Sequence, residues 1–251
     1  EERVNRLEDR IADLEGRLER ADDDVAEVGF RREETLRGDR VGEILDRLRS
    51  FEGAPESVLT AYVDGPVPED DDLRALLGDR TSLLSRAAPC LVCVDDAGLL
   101  AAALRPPVAP DPFRERAATP TVQRSWFRPT GRFALALVRS DTFAVGVYEE
   151  TERVDFEGFE SGVKSDHSKG GFSQSRFERL RDEQIERHLE KCESALDAIE
   201  ADRLYVVGDR RLIGEFDADA DATAAVDATG KPEPALADAF ADFWSVRLYG
   251  L

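Results

Sequence analysis

Apolar residues recur at alternating spacings of three and four along the first 28 residues, and charged residues fill most positions between them. This is the a/d pattern of a coiled coil, in which apolar side chains form a seam against a partner helix. The seam consists of Val4, Leu7, Ile11, Leu14, Leu18, Ala21, Val25 and Val28. We predict a coiled-coil helix over residues 1–34 that forms a homodimer or docks on a larger partner. The alternative is an amphipathic helix folded onto its own domain.

Residues 35–128 alternate between helical and strand patterns. Apolar residues on one helical face predict two helices, around Val41–Phe51 and over Leu73–Ser85. Short apolar runs bounded by turn residues predict three strands, of which the last two form a hairpin. These strands are Val58–Val63, Cys90–Val94 and Leu99–Leu104. The proline-rich residues 106–120 are predicted to be a loop, so this region has a mixed α/β character.

Residues 129–251 begin with three closely spaced apolar runs, which predict an antiparallel meander. The runs are Phe133–Val138, Phe143–Tyr148 and Val154–Phe159. A long amphipathic helix is predicted next, from Ser175 as N-cap to Ile199. Helices and strands then alternate, with strands at Leu204–Val207, Ala224–Val226 and Ser245–Tyr249 and helices at Arg210–Phe216 and Pro234–Phe243. We expect an α/β domain in which helices cover a mixed sheet.

The composition is that of a folded protein, because 41% of the 251 residues are hydrophobic. The sequence has no run of about 18 apolar residues and no charged-then-apolar leader, so we expect neither a membrane span nor a secretory signal. A cytoplasmic protein is therefore expected. The absence of methionine indicates that the numbering starts inside a longer chain.

Acidic residues outnumber basic ones by 54 to 34, and only four of the basic residues are lysines. A dense carboxylate surface with few lysines is typical of adaptation to molar salt, where self-repulsion is screened. We expect a halophilic host, with a merely acidic protein as the alternative. At about 1 M salt the Debye length is near 3 Å, so a net charge of -20 does not exclude RNA from a locally basic patch.

The three cysteines are expected to be structural. Cys90 and Cys93 are three residues apart on a predicted strand, which places their side chains on opposite faces. Cys192 lies on the long helix, and the two histidines, His167 and His188, lack the spacing of a zinc site. We therefore expect no metal site and no cofactor.

One segment differs in charge from the rest of the chain. Residues 161–181 contain five basic and two acidic residues, and two glycines precede the predicted long helix. Gly170 and Gly171 allow backbone turns that are closed to other residues. The segment Lys169–Arg181 is therefore predicted to be a loop that presents its residues, at a helix start, to an anionic partner.

The run Lys-Gly-Gly-Phe-Ser-Gln-Ser-Arg-Phe at 169–177, with Arg179, Arg181 and Gln184 beyond it, resembles the glycine-to-glutamine loop of release-factor-like peptidyl-tRNA hydrolases of the Vms/ANKZF type. Together with the element order over residues 129–251, this resemblance implies an RNase H-like catalytic domain, like the middle domain of archaeal and eukaryotic class I release factors. The coiled coil and residues 35–128 do not contribute to the resemblance as specifically.

The loop departs from that of true termination factors, which carry Gly-Gly-Gln without interruption. Here Phe172 and Ser173 separate Gly171 from Gln174, and this Gly-x-x-Gln form looks like the Vms-type branch. The sequence shows no zinc-finger or ankyrin extension and no separate stop-codon-reading domain. Rescue of stalled peptidyl-tRNA is therefore expected rather than ordinary termination.

The resemblance implies hydrolysis, on the large ribosomal subunit, of the ester that joins the nascent peptide to tRNA. Gln174 does not titrate near neutral pH, so its amide would orient the attacking water. Gly170, Gly171 and Ser173 would complete the catalytic loop, with backbone N–H groups facing the developing negative charge. Contacts to tRNA and rRNA are predicted for Lys164, Lys169, Phe172, Arg176, Arg179 and Arg181, mostly through phosphates.

Two other functions remain open at this point. A tRNA 3'-end endonuclease in the same rescue pathway could use His167, near the loop, as a proton carrier. A non-catalytic adaptor that binds the ribosome or tRNA is the third hypothesis, because the sequence shows no titratable catalytic constellation. In that case the arginines after Gln174 could form a solvated helix face paired with acidic residues at helical spacing.

Overall fold

The computed structural model describes residues 28–65, 71–162, 174–216 and 219–251. Within these residues the strands form two sheets, one of six strands and one of five. Most of the predicted coiled coil, residues 1–27, lies outside the described residues. At the end of the predicted helical segment, Arg32–Leu36 forms a strand. The prediction of a helix is therefore wrong for residues 32–34.

Six strands form an antiparallel first sheet. They are β1 (Arg32–Leu36), β2 (Val58–Val63), β3 (Cys90–Asp95), β4 (Ala101–Arg105), β5 (Arg114–Ala117) and β11 (Val246–Gly250). Their order in the sheet is β1-β11-β4-β3-β2-β5. The predicted hairpin is confirmed, because β3 and β4 pair as antiparallel neighbours with Leu91 opposite Leu104.

Helices cover both faces of this first sheet. Helix α1 (Asp39–Arg49) buries its apolar stripe on one face. The other face carries α2 (Asp71–Leu77), a 3₁₀ turn (Gly78–Leu83) and α3 (Leu84–Ala87). These short elements replace the single helix predicted over Leu73–Ser85. The reason is that Gly78 adopts a φ of +58°, a left-handed conformation that ends an α-helix.

Five strands form the second sheet. They are β6 (Arg132–Val138), β7 (Thr142–Glu149), β8 (Glu152–Glu160), β9 (Leu204–Gly208) and β10 (Ala222–Ala225). Their order is β10-β9-β6-β7-β8. Strands β6, β7 and β8 form the predicted antiparallel meander. Strand β9 runs parallel to β6, and β10 runs parallel to β9, so the sheet is mixed, as predicted.

Helices pack on both faces of the second sheet as well. Helices α4 (Gln174–Leu196) and α5 (Arg210–Glu215) lie on one face, and α6 (Pro232–Phe243) lies on the other. Strand β6 is buried on both sides, which explains why its sequence is apolar almost throughout. The predicted α/β architecture is thus confirmed. None of the helices in the described ranges is long and apolar enough to cross a membrane.

The regions predicted at 35–128 and 129–251 share the first sheet. Strand β11 pairs with both β1 and β4, with Leu248 opposite Glu34 on one side and Leu104 on the other. The C-terminal strand was expected to belong to the second region alone. Its backbone hydrogen bonds join the two regions instead, while the boundary at residue 128 stays a prediction.

Candidate functional site

Helix α4 begins at Gln174, the glutamine of the predicted catalytic loop. It is 23 residues long, and Ser175, predicted as its N-cap, lies inside it. Arg176 follows in the first turn. The other predicted loop and RNA-binding residues, Lys164, Lys169, Gly170, Gly171, Phe172 and Ser173, lie outside the described residues, as does His167. The structure therefore places the glutamine at a helix start and leaves the glycines undescribed.

Arg179 and Arg181, predicted to contact RNA, lie on exposed positions in the second turn of α4. Leu180 between them is 45% exposed, which is unusual for a large apolar side chain in this protein. The exposed Leu180 adds apolar surface to a turn that also carries two exposed arginines. Further along, α4 turns its apolar stripe to the sheet, with Cys192 buried.

A cleft of about 420 Å³ runs beside the N-terminal half of α4. It is lined by Ser140, Arg181, Asp182, Ile185, Glu186, Leu189, Asp209, Arg211 and Leu212. This lining includes three apolar side chains, two arginines and three carboxylates. The cleft lies at the carboxyl ends of the parallel neighbours β6 and β9, the edge of an α/β sheet where ligands commonly bind. Arg181 is the predicted RNA-binding residue that joins it.

A tight turn after β9 positions one side of this cleft. Asp209 donates its backbone N–H to the carbonyl of Val138 at 3.1 Å, which ties the end of β9 to the end of β6. The Asp209 carboxylate caps α5 by accepting a hydrogen bond of 2.9 Å from the backbone N–H of Arg211. These contacts hold Asp209 and Arg211 in the lining of the cleft. Neither residue was predicted from the sequence, because both are distant from the loop in the chain.

His188 lies where the end of β8 meets α4. It is 2% exposed, and its Nδ1 lies 2.7 Å from the Ser161 hydroxyl oxygen, at hydrogen-bonding distance. Ser161 also donates its backbone N–H to the Asp141 carbonyl at 2.7 Å. Burial lowers the pKa of His188 below its ordinary value, while backbone hydrogen bonds to Arg139 and Thr142 oppose that shift. The imidazole is therefore neutral at neutral pH.

Two further contacts join the end of β8 to the same turn of α4. The Phe159 ring packs edge-on against the His188 ring at 5.7 Å, and the Lys191 ammonium lies 3.6 Å from the Phe159 ring centre. From the sequence, His167 was a candidate for proton transfer, whereas His188 was considered only as a zinc ligand. The available signal was its helical spacing from Ile185 and Cys192, which places a polar ring on the buried stripe of α4.

The three cysteines are buried and free, as expected for structural thiols. Cys90 and Cys93 belong to the clusters on opposite faces of the first sheet, which confirms the prediction from their spacing. Burial raises the pKa of Cys90, Cys93 and Cys192 to about 12 in each case. In the described parts of the chain, no three His, Cys, Asp or Glu side chains cluster in a way that could hold a metal ion.

Comparison with known proteins points to one family. Residues 131–249 match the sequence model of the family described as Actinobacteria/chloroflexi VLRF1 release factor. A search of curated proteins gives no match.

Two solved structures are similar to the chain at low sequence identity. The crystal structure of an archaeal translation termination factor, aRF1, is 11% identical, with 83% of this chain and 73% of that chain covered and a TM-score of 0.31. A structure described as an archaeal protein is 12% identical, with 79% and 68% covered and a TM-score of 0.25. TM-scores this low carry no argument about fold or function.

Proposed function

We propose that the protein acts on ribosomes in translation termination or ribosome rescue, because residues 131–249 match the VLRF1 release factor family model. More specifically, we propose a peptidyl-tRNA hydrolase that releases nascent chains from stalled ribosomes. The observation that carries this proposal is the family match over the whole second sheet. Within the matched residues, the sequence Gly-Gly-Phe-Ser-Gln ends at Gln174, the first described residue of α4.

Gln174 is proposed to position the attacking water. An amide has a donor and an acceptor but no proton to exchange near neutral pH, so its contribution is orientation. Gln174 is the first described residue of the 23-residue helix α4, and the glycines before it in the sequence predict the helix start there. The first N–H groups of a helix lack intrahelical partners, and the helix dipole puts positive charge there. Both effects favour negative charge on the ester carbonyl oxygen next to Gln174. Gly170, Gly171 and Ser173 would complete this loop.

The second turn of α4 is proposed to bind RNA. Arg179 and Arg181 are exposed and can form bidentate hydrogen bonds with phosphates. Arg181 also borders the cleft, where apolar side chains and carboxylates could hold a base and a ribose. Lys164, Lys169, Phe172 and Arg176 are proposed to extend this contact along the loop. The partners are then peptidyl-tRNA and the large ribosomal subunit, and the location is the cytoplasm.

The strand arrangement of the second sheet supports an RNase H-like assignment for this domain. An antiparallel meander is followed by two strands that run parallel to its first member, with helices on both faces. This is the arrangement that the resemblance to release-factor catalytic domains implies. We propose the assignment on that basis.

The test is peptide release from stalled ribosome complexes that carry a labelled nascent chain. We expect the wild-type protein to release peptide and Gln174→Ala to be at least about 100-fold slower, because the water loses its orienting group. Gln123→Ala is the matched control, since Gln123 is exposed and lies outside the family match. Equal activity of Gln174→Ala and wild type would remove Gln174 from the mechanism.

Sequencing the 3' end of the released tRNA separates ester hydrolysis from the nuclease alternative. An intact CCA end supports hydrolysis of the ester, whereas a shortened end supports cleavage of the tRNA. Ribosome binding without any turnover, equal in wild type and Gln174→Ala, would support the adaptor alternative instead.

A further inference from the structure

His188 contacts three elements of the second sheet and its helices. It belongs to α4, it contacts Ser161 at the end of β8, and it faces the turn between β6 and β7 through Arg139 and Thr142. In the sequence, the glycine-rich segment lies between this junction and Gln174 of α4. Gln174 lies fourteen residues before His188, or about 21 Å along the helix axis.

Histidine at position 188 is a polar residue on the buried, mostly apolar stripe of α4. The neighbouring residues on the buried stripe, Ile185, Leu189 and Cys192, are apolar or weakly polar. A histidine here loses its hydration and gains in return hydrogen bonds to Ser161 and to the backbone of Arg139 and Thr142. Burial of a polar ring costs free energy unless it is hydrogen-bonded, and an apolar residue would pack without that cost. What histidine adds over leucine is a fixed, directional link between α4 and Ser161.

The link is reinforced on the strand side. Phe159, two residues before Ser161, contacts both His188 and Lys191 through its ring. The Ser161 N–H is bound to the Asp141 carbonyl at 2.7 Å. Three kinds of contact therefore hold the end of β8: the Ser161 backbone N–H, the Phe159 ring and the Ser161 hydroxyl. The contacts of the ring and the hydroxyl are both with one turn of α4.

We propose that His188 is a positioning residue, which through Ser161 fixes the end of β8 against α4 and so helps to hold α4, with Gln174 on it, in the orientation needed for the reaction. The inference rests on the proposed function, because it assigns the residue to the reaction at Gln174. His188 itself lies far from the helix start and takes no part in the chemistry.

The first experiment measures peptide release and ribosome binding by Ser161→Ala, His188→Leu and the double variant. We expect each single variant to lower the release rate at saturating protein by about 10- to 100-fold, because small misplacement of a catalytic group has effects of this size. The concentration for half-maximal ribosome binding should stay within about twofold, since the RNA-binding arginines are unchanged. The double variant should be no slower than the slower single variant, because both changes remove one link.

Ser194→Ala is the control on the same helix. The Ser194 hydroxyl is exposed and donates only to the Glu190 carbonyl of its own helix, at 2.9 Å. It should release peptide at the wild-type rate. Wild-type release rates in folded Ser161→Ala and His188→Leu would overturn the proposal. If His188→Leu fails to fold, Ser161→Ala alone decides, because Ser161 is only half-buried.

Hydrogen exchange at the Ser161 amide gives a readout that does not need activity. In His188→Leu this amide should exchange about fivefold faster, the effect of losing one net hydrogen bond, while amides inside β6 and β7 keep their protection. A wild-type protein that releases no peptide would defeat the proposed function. Faster exchange at Ser161 would still support the link, and unchanged exchange would overturn it.

Discussion

Gly208 and Val138 lie so close that a methyl group on Gly208 would overlap the carbonyl oxygen of Val138. Gly208 also has a φ of +135°, a conformation that other residues rarely adopt. It ends β9 beside the end of β6, and Asp209 of the cleft follows directly. The close approach of two parallel strands at this point therefore depends on a residue without a side chain.

We expect Gly208→Ala to lower the free energy of unfolding by about 2–5 kcal/mol, because it adds backbone strain and a steric overlap with a main-chain atom. Chemical denaturation of both proteins measures the difference. Gly214→Ala is the control, since a Cβ there meets nothing within 4 Å and Gly214 lies in helix α5. It should be neutral or stabilising by up to about 1 kcal/mol. Equal stability of Gly208→Ala and wild type would contradict the steric argument.

All three thiols should be unreactive in the folded protein. With pKa values of about 12, each would be ionised in only about one molecule in ten thousand at pH 8, and the thiolate is the reactive form. We expect Ellman's reagent to label no cysteine in native protein over the time in which a small free thiol reacts completely. In denaturant all three should react. Rapid labelling of one thiol under native conditions would show that its surroundings open.

Local periodicity predicted most elements of the second sheet because its strands are apolar and its helices amphipathic. Strands β1 and β5 were not predicted, since their sequences, REETL and RERA, have almost no apolar alternation. Both are edge strands, held by backbone hydrogen bonds to one neighbour, and such pairing leaves little trace in the residue pattern. The position of β11 could not be predicted either, because periodicity shows that a strand exists but not which sheet it joins.

Part of the site was predictable from local sequence pattern, as the strands and helices were. Glycines followed by a helical pattern predicted α4, whose described residues begin at Gln174. The cleft was not predictable, because Ser140, Arg181 and Asp209 come together only through the pairing of β6 with β9. His188 was visible as a polar residue on an apolar stripe, but its partner Ser161 lies 27 residues away in the chain. The coiled coil over residues 1–27 and the halophilic host stay predictions.

His188 should make stability depend on pH. Burial, the largest cause, lowers its pKa in the folded state below the ordinary 6.5, while the charge of Asp141 opposes the shift and that of Lys191 adds to it. Below pH 6.5 the unfolded chain takes up a proton that the folded protein does not, so stability falls as the pH drops towards the folded pKa. Above pH 6.5 both states are neutral and this contribution is fully present.

We therefore expect the free energy of unfolding of the wild type, minus that of His188→Leu, to decrease as the pH falls from 7.5 to 5.5. One proton bound by one state alone changes stability by about 1.4 kcal/mol per pH unit, which is the upper limit for this slope. Denaturant unfolding at several pH values measures it. All other groups are common to both proteins, so their contributions cancel in the difference. A difference that is constant across this range would show that His188 titrates normally.

Arg179 and Arg181 should contribute to ribosome binding through RNA phosphates. Both are exposed on one turn of α4, and Arg181 borders the cleft. Replacing both with glutamine keeps their helix-forming tendency and removes two positive charges from a chain of net charge -20. Each lost phosphate contact should lower the slope of log affinity against log salt by about one and weaken binding at every sequence alike.

Ribosome binding measured over a range of salt concentrations tests this expectation. Arg187→Gln is the matched control, because Arg187 lies on the same helix, carries the same charge and is paired with Glu183 at 3.9 Å. We expect Arg179→Gln with Arg181→Gln to bind several-fold more weakly with a shallower salt slope, and Arg187→Gln to bind as wild type does. If the double variant kept both the wild-type affinity and the wild-type slope, the second turn of α4 would not be the RNA contact. The proposed orientation of α4 towards the ribosome would then be wrong, even if Gln174 remained essential for release.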